Sequence, residues 1–189
     1  MEIDGLVLAA GAGRRYGRPK ALVTYRGSLL VRRAAGTLTA AGVTRTLVVV
    51  GAAAAQVRAV APELTFVENP DWASGMASSL RTGLAALAAG PAGAAVVLLV
   101  DMPGVTPEAV RAIAAGATPD ALVMGGYGGR RSHPVLLGRD HWAGVARSAT
   151  GDRGARDYLR THADQVRVVA VGDVADDTDL DVPELSDHA

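Results

Sequence analysis

Short runs of β-branched and aliphatic residues alternate along the chain with longer Ala- and Leu-rich stretches of helical period. Ile3 to Ala9 predicts a strand, and Ser28 to Ala41 a helix that Gly42 ends. Thr46 to Val50 predicts a second strand, Ala52 to Val60 a helix, Thr65 to Val67 a short strand, and Met76 to Ala89 a helix closed by Gly90-Pro91. Ala95 to Val100 is the most hydrophobic strand, and its unbroken apolar run marks it as buried on both faces. Segments Glu108–Ala115, Leu122–Gly125, Pro134–Leu137, Gly154–His162 and Val166–Val171 complete the series, with Gly125 to Gly129 as a mobile loop. The alternation predicts an α/β domain over residues 1–189: an open, mostly parallel sheet with helices on both faces, three layers in all. Ligands of such sheets bind beyond the carboxyl ends of the strands, so the informative residues lie just after each strand.

Composition narrows the chemistry. The 189 residues suffice to bury a sizeable core. With 49% hydrophobic but only 4% aromatic residues, that core is aliphatic. Acidic and basic residues balance at 19 each, so no global field draws in nucleic acid or an anionic membrane, and anion binding must come from a local cluster. The absence of cysteine excludes a disulfide framework, a thiolate metal site and a cysteine nucleophile. No apolar run is long enough to span a bilayer, and Met1-Glu2-Ile3-Asp4 has neither the basic start nor the cleavage pattern of a signal peptide. A cytoplasmic location is expected.

The segment after the first strand, Leu8-Ala9-Ala10-Gly11-Ala12-Gly13-Arg14-Arg15-Tyr16-Gly17-Arg18-Pro19-Lys20, carries the clearest chemistry. Its glycines let backbone N–H groups approach an anion without Cβ interference. Arg14, Arg15, Arg18 and Lys20 supply charge on the scale of a triphosphate, and Pro19 restricts the chain just before Lys20. A P-loop would need Gly-Lys-Ser/Thr opening a helix, whereas Lys20 lies between Pro19 and Ala21. A dinucleotide fold would place a carboxylate after the second strand, which instead ends Val50-Gly51-Ala52-Ala53. Asp101 follows the buried strand directly, where an Asp can hold Mg²⁺ facing the ligand crevice; a turn Asp is the plainer alternative, with Thr106 the better cap for the next helix. Because Mg²⁺ usually takes one or two protein carboxylates plus phosphate oxygens, a second Asp is expected.

Leu8 to Lys20 resembles the Leu-Ala-Ala-Gly-x-Gly-x-Arg-x-Gly-x-Pro-Lys signature of the molybdopterin nucleotidyltransferase family, part of the wider NTP-transferase superfamily with its Rossmann-like fold. The resemblance runs from Leu6 to about Leu185. It implies that Leu8, Ala9, Ala10, Gly11 and Gly13 cradle the nucleotide, that Arg15 and Lys20 contact its triphosphate, and that Asp101 within Asp-Met-Pro is a metal ligand. The tail Asp179-Leu180-Asp181-Val182-Pro183-Glu184-Leu185 is similar to the family's closing Asp-Ile-Asp-Thr-Pro-Glu segment, which makes Asp181 the second ligand, with Asp179 in reserve. Asp173, Asp176 and Asp177 nearby keep a solvated acidic tail as the alternative.

Asn69-Pro70-Asp71-Trp72-Ala73-Ser74-Gly75-Met76-Ala77-Ser78-Ser79-Leu80 resembles the family's second motif and opens a helix, whose N-terminal N–H groups suit anions, so Ser78 and Ser79 are placed near the nucleotide. His133-Pro134-Val135-Leu136-Leu137 and Gly151-Asp152-Arg153-Gly154-Ala155-Arg156 look like acceptor-side motifs, which gives Arg131, His133 and Arg156 to the acceptor. Ser132 departs from the Gly that relatives commonly carry before this His. The resemblance thus implies a Mg²⁺-dependent transfer of a nucleoside monophosphate from CTP, or alternatively GTP, to the phosphate of molybdopterin or its molybdenum-loaded form. A recipient molybdoenzyme or its chaperone is the implied partner. Sugar-nucleotide pyrophosphorylases are disfavoured, since nothing after Ala189 supplies their usual extra domain. A non-catalytic carrier would be expected to have lost Asp101 or Lys20, and both are present.

Overall fold

The computed structural model describes residues 1–181; Val182 to Leu185, which belong to the closing motif, lie outside the described residues. Among the described residues there are nine strands and six α-helices; the strands are β1 (Ile3–Leu8), β2 (Thr24–Tyr25), β3 (Ser28–Leu29), β4 (Thr46–Val50), β5 (Phe66–Glu68), β6 (Ala94–Leu99), β7 (Leu122–Tyr127), β8 (Arg130–Gly138) and β9 (Val166–Ala170). The helices that join them are α1 (Leu30–Ala41), α2 (Ala54–Val60), α3 (Met76–Ala88), α4 (Pro107–Ala114), α5 (Arg139–Ser148) and α6 (Arg156–Thr161). The main sheet has the order β5-β4-β1-β6-β8-β7-β9, parallel throughout except for β8, which runs antiparallel to both β6 and β7.

The strand patterns explain the layers. Along β1, Val7 and Ala9 join the cluster that holds α1, α2 and α4 residues such as Leu38, Val57 and Ile113. Leu6, Leu8 and Ala10 point the other way, onto Leu80, Leu84 and Leu87 of α3, Trp142 of α5 and Leu159 of α6. Successive strand side chains alternate faces, so both faces must be apolar and both must be covered. The predicted three-layer, mostly parallel α/β architecture is the one observed. Its topology locates the ligand crevice: the chain builds outward from β1 through β4 to β5, then returns to lay β6 on the other side of β1. Leu8 and Leu99 sit opposite each other at the ends of these two strands. The loops that follow them diverge from a topological switch point, where such sheets bind ligands.

Gly42 ends α1 in the left-handed conformation at φ 90°, and the Thr106 hydroxyl accepts from Ala109 N at the start of α4, both as predicted. Three segments differ from the sequence reading. Ser28 and Leu29 are not helical but pair with Tyr25 and Thr24 across the turn Arg26-Gly27, whose two positive φ angles suit a tight hairpin. The glycine-rich stretch 125–129, expected as a mobile loop, instead completes β7 and turns at Gly128-Gly129 into β8. Helix α5 escaped prediction because Gly144 interrupts its middle, yet a Cβ there would come 2.6 Å from Tyr158, so the glycine admits a packed aromatic ring.

Candidate active site

The loop after β1 is pinned to the neighbouring strand: Ala9 N donates to Val49 O and Ala52 N to Ala10 O. It then folds back on itself. Gly13 has φ 62°, and a Cβ there would lie 1.9 Å from Arg18 O, so glycine is required by both conformation and space. Gly17 N donates to Gly13 O and closes the turn. The chain then reaches Pro19 and a 3-10 turn that opens at Lys20.

Lys20 is the focus of the site. Its Nζ donates to Asp101 Oδ2 at 2.7 Å and to Asp181 Oδ1 at 3.2 Å, while Arg15 Nη1 stands 3.7 Å from Asp181 Oδ2. Burial pulls the Lys20 pKa down, but the hydrogen bonds and charges of Asp101 and Asp181 outweigh it and hold the ammonium above its ordinary value. Asp179 adjoins the cluster; burial, then the charges of Asp101 and Asp181, raise its pKa against the opposing pull of Lys20.

These groups edge a cavity of about 580 Å³ that is also lined by Leu8, Ala10, Gly11, Gly13, Arg14, Tyr16, Trp72 and Ser79. Of the residues expected at the nucleotide, Ala9 packs into the core and does not line this cavity. Ser78 does not line it either, since its hydroxyl bonds to Asp71 O, Gly75 O and Asn69 Nδ2. Arg18 turns away and donates to Leu22 O. The start of α3 is also occupied: Met76 N donates to Asp152 Oδ1, Ala77 N to Gly151 O and Ser78 N to Gly75 O. The helix end therefore offers fewer free N–H groups to an anion than its sequence suggests.

A second cavity of about 440 Å³ opens beside the first, and Leu8, Met76, Leu99 and Asp152 line both. Its walls are apolar (Leu80, Val97, Met124, Leu137, Leu159), and Arg131, His133 and Arg156 all line it. Arg153 and Arg160 line it as well, but Asp157 lies 3.1 and 3.2 Å from them. A register shift positions the histidine: Met124 pairs with Val135 but Gly125 with Ser132, so His133 and Pro134 leave the ladder, and Tyr127 Oη donates to His133 O at 2.7 Å. Bulges of this kind re-aim side chains beside sites. Dense surroundings push the His133 pKa down to about 4, partly opposed by Asp101 and reinforced by Arg156, so the imidazole is neutral near pH 7.

The sequence reading missed Asp152, the one charged residue lining both cavities among the described residues. Its Gly-Asp-Arg-Gly context was the available signal. Asp101 and Asp181 offer hard carboxylate oxygens that already converge on one cation, the Lys20 ammonium, and this donor set fits a divalent ion such as Mg²⁺. Among the described residues no cluster of three or more His, Cys, Asp or Glu side chains forms a complete cage. Phosphate oxygens and water would have to fill the remaining positions.

A glycine-lined crevice that sets Arg14, Arg15 and Lys20 against Asp101, Asp152, Asp179 and Asp181 lies at the switch point of a mostly parallel sheet and joins a second, largely apolar cavity, an arrangement suited to a nucleotide and a partner molecule. The family model described as MobA-like NTP transferase domain matches residues 5–166, and the chain belongs to that family of nucleotidyltransferases. Nicotine blue oxidoreductase of Paenarthrobacter nicotinovorans is 36% identical over 192 residues, covering 96% of this chain and 93% of that protein. Rv0371c from Mycobacterium tuberculosis H37Rv is 30% identical with a TM-score of 0.80, covering 95% of this chain and 93% of its own. A further structure of that protein, a complex with manganese, aligns at a TM-score of 0.78 and 30% identity, covering 95% and 94%. The inositol-1-phosphate CTP transferase from T. maritima shares the fold at 18% identity and a TM-score of 0.71, covering 96% and 91%. No helix among the described residues is long and apolar enough to cross a membrane.

Two outcomes follow from the charges. Lys20→Ala strands Asp101, Asp179 and Asp181 together, which costs about 1–2 kcal/mol after discounting for solvent access. Without divalent ions the variant should melt below wild type, and Mg²⁺ should raise its Tm more than that of wild type; an equal Mg²⁺ response would contradict a shared cation site. For His133 the folded pKa of about 4 lies below the ordinary 6.5. The unfolded chain takes up the proton first, so stability falls as pH drops from 6.5 towards 4. His133→Asn should flatten that part of the stability profile measured by urea unfolding.

Proposed function

We propose that the protein transfers a nucleoside monophosphate, CMP from CTP in the preferred case, to the terminal phosphate of a molybdopterin-type acceptor, with Mg²⁺ as cofactor and release of pyrophosphate. The observation that carries this reading is the Lys20–Asp101–Asp181 cluster at the mouth of the glycine loop, next to an apolar cavity with Arg131 and Arg156 on its wall. Manganese in the related Rv0371c structure supports a divalent cation. CTP is preferred over GTP because Gly-Arg-Pro-Lys and His-Pro-Val-Leu resemble the cytidylyltransferase branch of the family. The cytoplasm and delivery to a recipient molybdoenzyme or its chaperone belong to the same proposal.

The glycine loop brings backbone close to the triphosphate, and Arg15 and Lys20 neutralise its β- and γ-phosphates. Arg131 and Arg156 hold the acceptor phosphate, while the flat, apolar part of the acceptor lies against Leu80, Val97 and Leu137. Neutral His133 adds no charge there but can donate or accept one hydrogen bond. The acceptor phosphomonoester is already largely ionised near pH 7, so no side chain has to remove a proton. Its oxygen attacks the α-phosphorus, the new P–O bond forms as the bond to the β-phosphate breaks, and pyrophosphate leaves toward Lys20 and Arg15. When bound at Asp101 and Asp181, Mg²⁺ supplies charge neutralisation between the two anions. Catalysis is then alignment and electrostatic stabilisation, without a covalent enzyme intermediate.

A second reading rests on the 36% identity to a protein named an oxidoreductase. In it, a reduced nicotinamide nucleotide in the first cavity passes hydride to a planar substrate in the second. Against it, β4 ends at Val50 and is followed by Gly51-Ala52-Ala53, without the carboxylate that dinucleotide folds use to hold the ribose.

The deciding experiment supplies the molybdopterin acceptor, Mg²⁺ and CTP, GTP, ATP or UTP singly, and follows pyrophosphate. Release with CTP is expected, and Asp101→Ala should lower it by roughly 10²–10³. Release with GTP alone would replace the base; NAD(P)H oxidation by a planar dye, with no pyrophosphate from any NTP, would establish the second reading instead.

A further inference from the structure

The segment that brings Asp179 and Asp181 to the nucleotide cavity is not part of any helix or strand. After β9 it runs as a strap past the loop that follows β6. Val171 N donates to Gly126 O, the Thr106 hydroxyl to Val174 O, Asp176 N to Gly104 O and Leu180 N to Asp101 O, with Leu180 buried. Between the last two pins lies Asp177. Its carboxylate is only 10% exposed, and Arg130 Nη2 donates to it at 2.8 Å. Arg130 is the first residue of β8, beside Arg131 and close to His133 on the wall of the acceptor cavity. Among the described residues this is the one ion pair between the strap and the hairpin.

A carboxylate so enclosed depends on its partner, because removing the cation leaves a charge with little solvent to take its place. The nearby Tyr127 hydroxyl reflects the same field: burial, then the charges of Asp177 and Asp176, push its pKa to about 12. The Asp177 contact also falls four residues before Asp181, so together with the buried Leu180 anchor the seat of this side chain helps set where the second carboxylate of the cation site arrives.

We propose that Arg130 is a positioning residue for nucleotidyl transfer: paired with Asp177, it seats the strap that carries Asp179 and Asp181 and ties it to the hairpin that carries Arg131 and His133. The inference rests on the reading of Asp101 and Asp181 as the cation site. Arg130 touches neither substrate, and it acts through the placement of Asp181. Its exposed guanidinium makes the expected effect modest.

The test titrates the full-length protein with Mn²⁺ alone and follows the free-ion signal by electron paramagnetic resonance. Arg130→Ala should bind Mn²⁺ about fivefold more weakly, whereas Arg130→Lys, which keeps the charge, should stay close to wild type. Asp181→Ala should lose more than either. In turnover, Arg130→Ala should raise the Mg²⁺ concentration for half-maximal rate by a similar factor, with the KM for NTP unchanged at saturating Mg²⁺. Wild-type Mn²⁺ binding by Arg130→Ala, with binding lost in Asp181→Ala, would overturn the role of Arg130 and leave the cation site standing. Wild-type binding by Asp181→Ala would overturn the cation site and this inference together.

Discussion

Two carboxylates from distant parts of the chain meet at the Lys20 ammonium. Asp101 arrives from the end of β6 at 2.7 Å and Asp181 from the strap at 3.2 Å, 81 and 161 residues away in sequence. Holding these groups together without a bound ion takes a cation that can be given up later, and a flexible lysine meets that need better than a planar arginine. In the proposed reaction the triphosphate would compete for the ammonium while a divalent ion would compete for the carboxylates. Each half of the internal ion pair would then find a new partner.

The sheet order makes this meeting possible. Placing β1 between β4 and β6 sets the glycine loop and Asp101 side by side at the switch point. The single reversed strand, β8, carries Arg131 and His133 to the neighbouring cavity, and the bulge at His133-Pro134 turns the imidazole out of the ladder. Neither cavity is isolated: Leu8, Met76, Leu99 and Asp152 line both, so molecules held in the two would meet across a shared wall.

Much of this was legible in the chain because local rules sufficed. The unbroken apolar run before Asp101 identified a central strand, and glycines followed by Arg15, Pro19 and Lys20 pointed to the loop that lines the first cavity. What escaped depended on distant packing. Gly144 disguises α5 until Tyr158 is seen against it. The positive-φ pairs Arg26-Gly27 and Gly128-Gly129 form hairpins only because their flanking strands pair. Gly151 and Asp152 bond the start of α3 from more than seventy residues away, which no local helix signal could reveal. Asp177, which in the sequence only kept a solvated tail open as the alternative, becomes a partner for Arg130 when the tail crosses the hairpin.

On the proposed reading, the carboxylates around Lys20 receive a divalent ion together with a nucleotide. Calorimetric titration of the protein with a CTP analogue that cannot be cleaved at the α-phosphate, in Mg²⁺ and in excess EDTA, tests it most directly. Mg²⁺ should tighten binding by about tenfold or more in wild type, and Asp101→Asn should abolish this gain. Equal affinity in Mg²⁺ and in EDTA, or an Asp101→Asn variant that keeps the full gain, would contradict it.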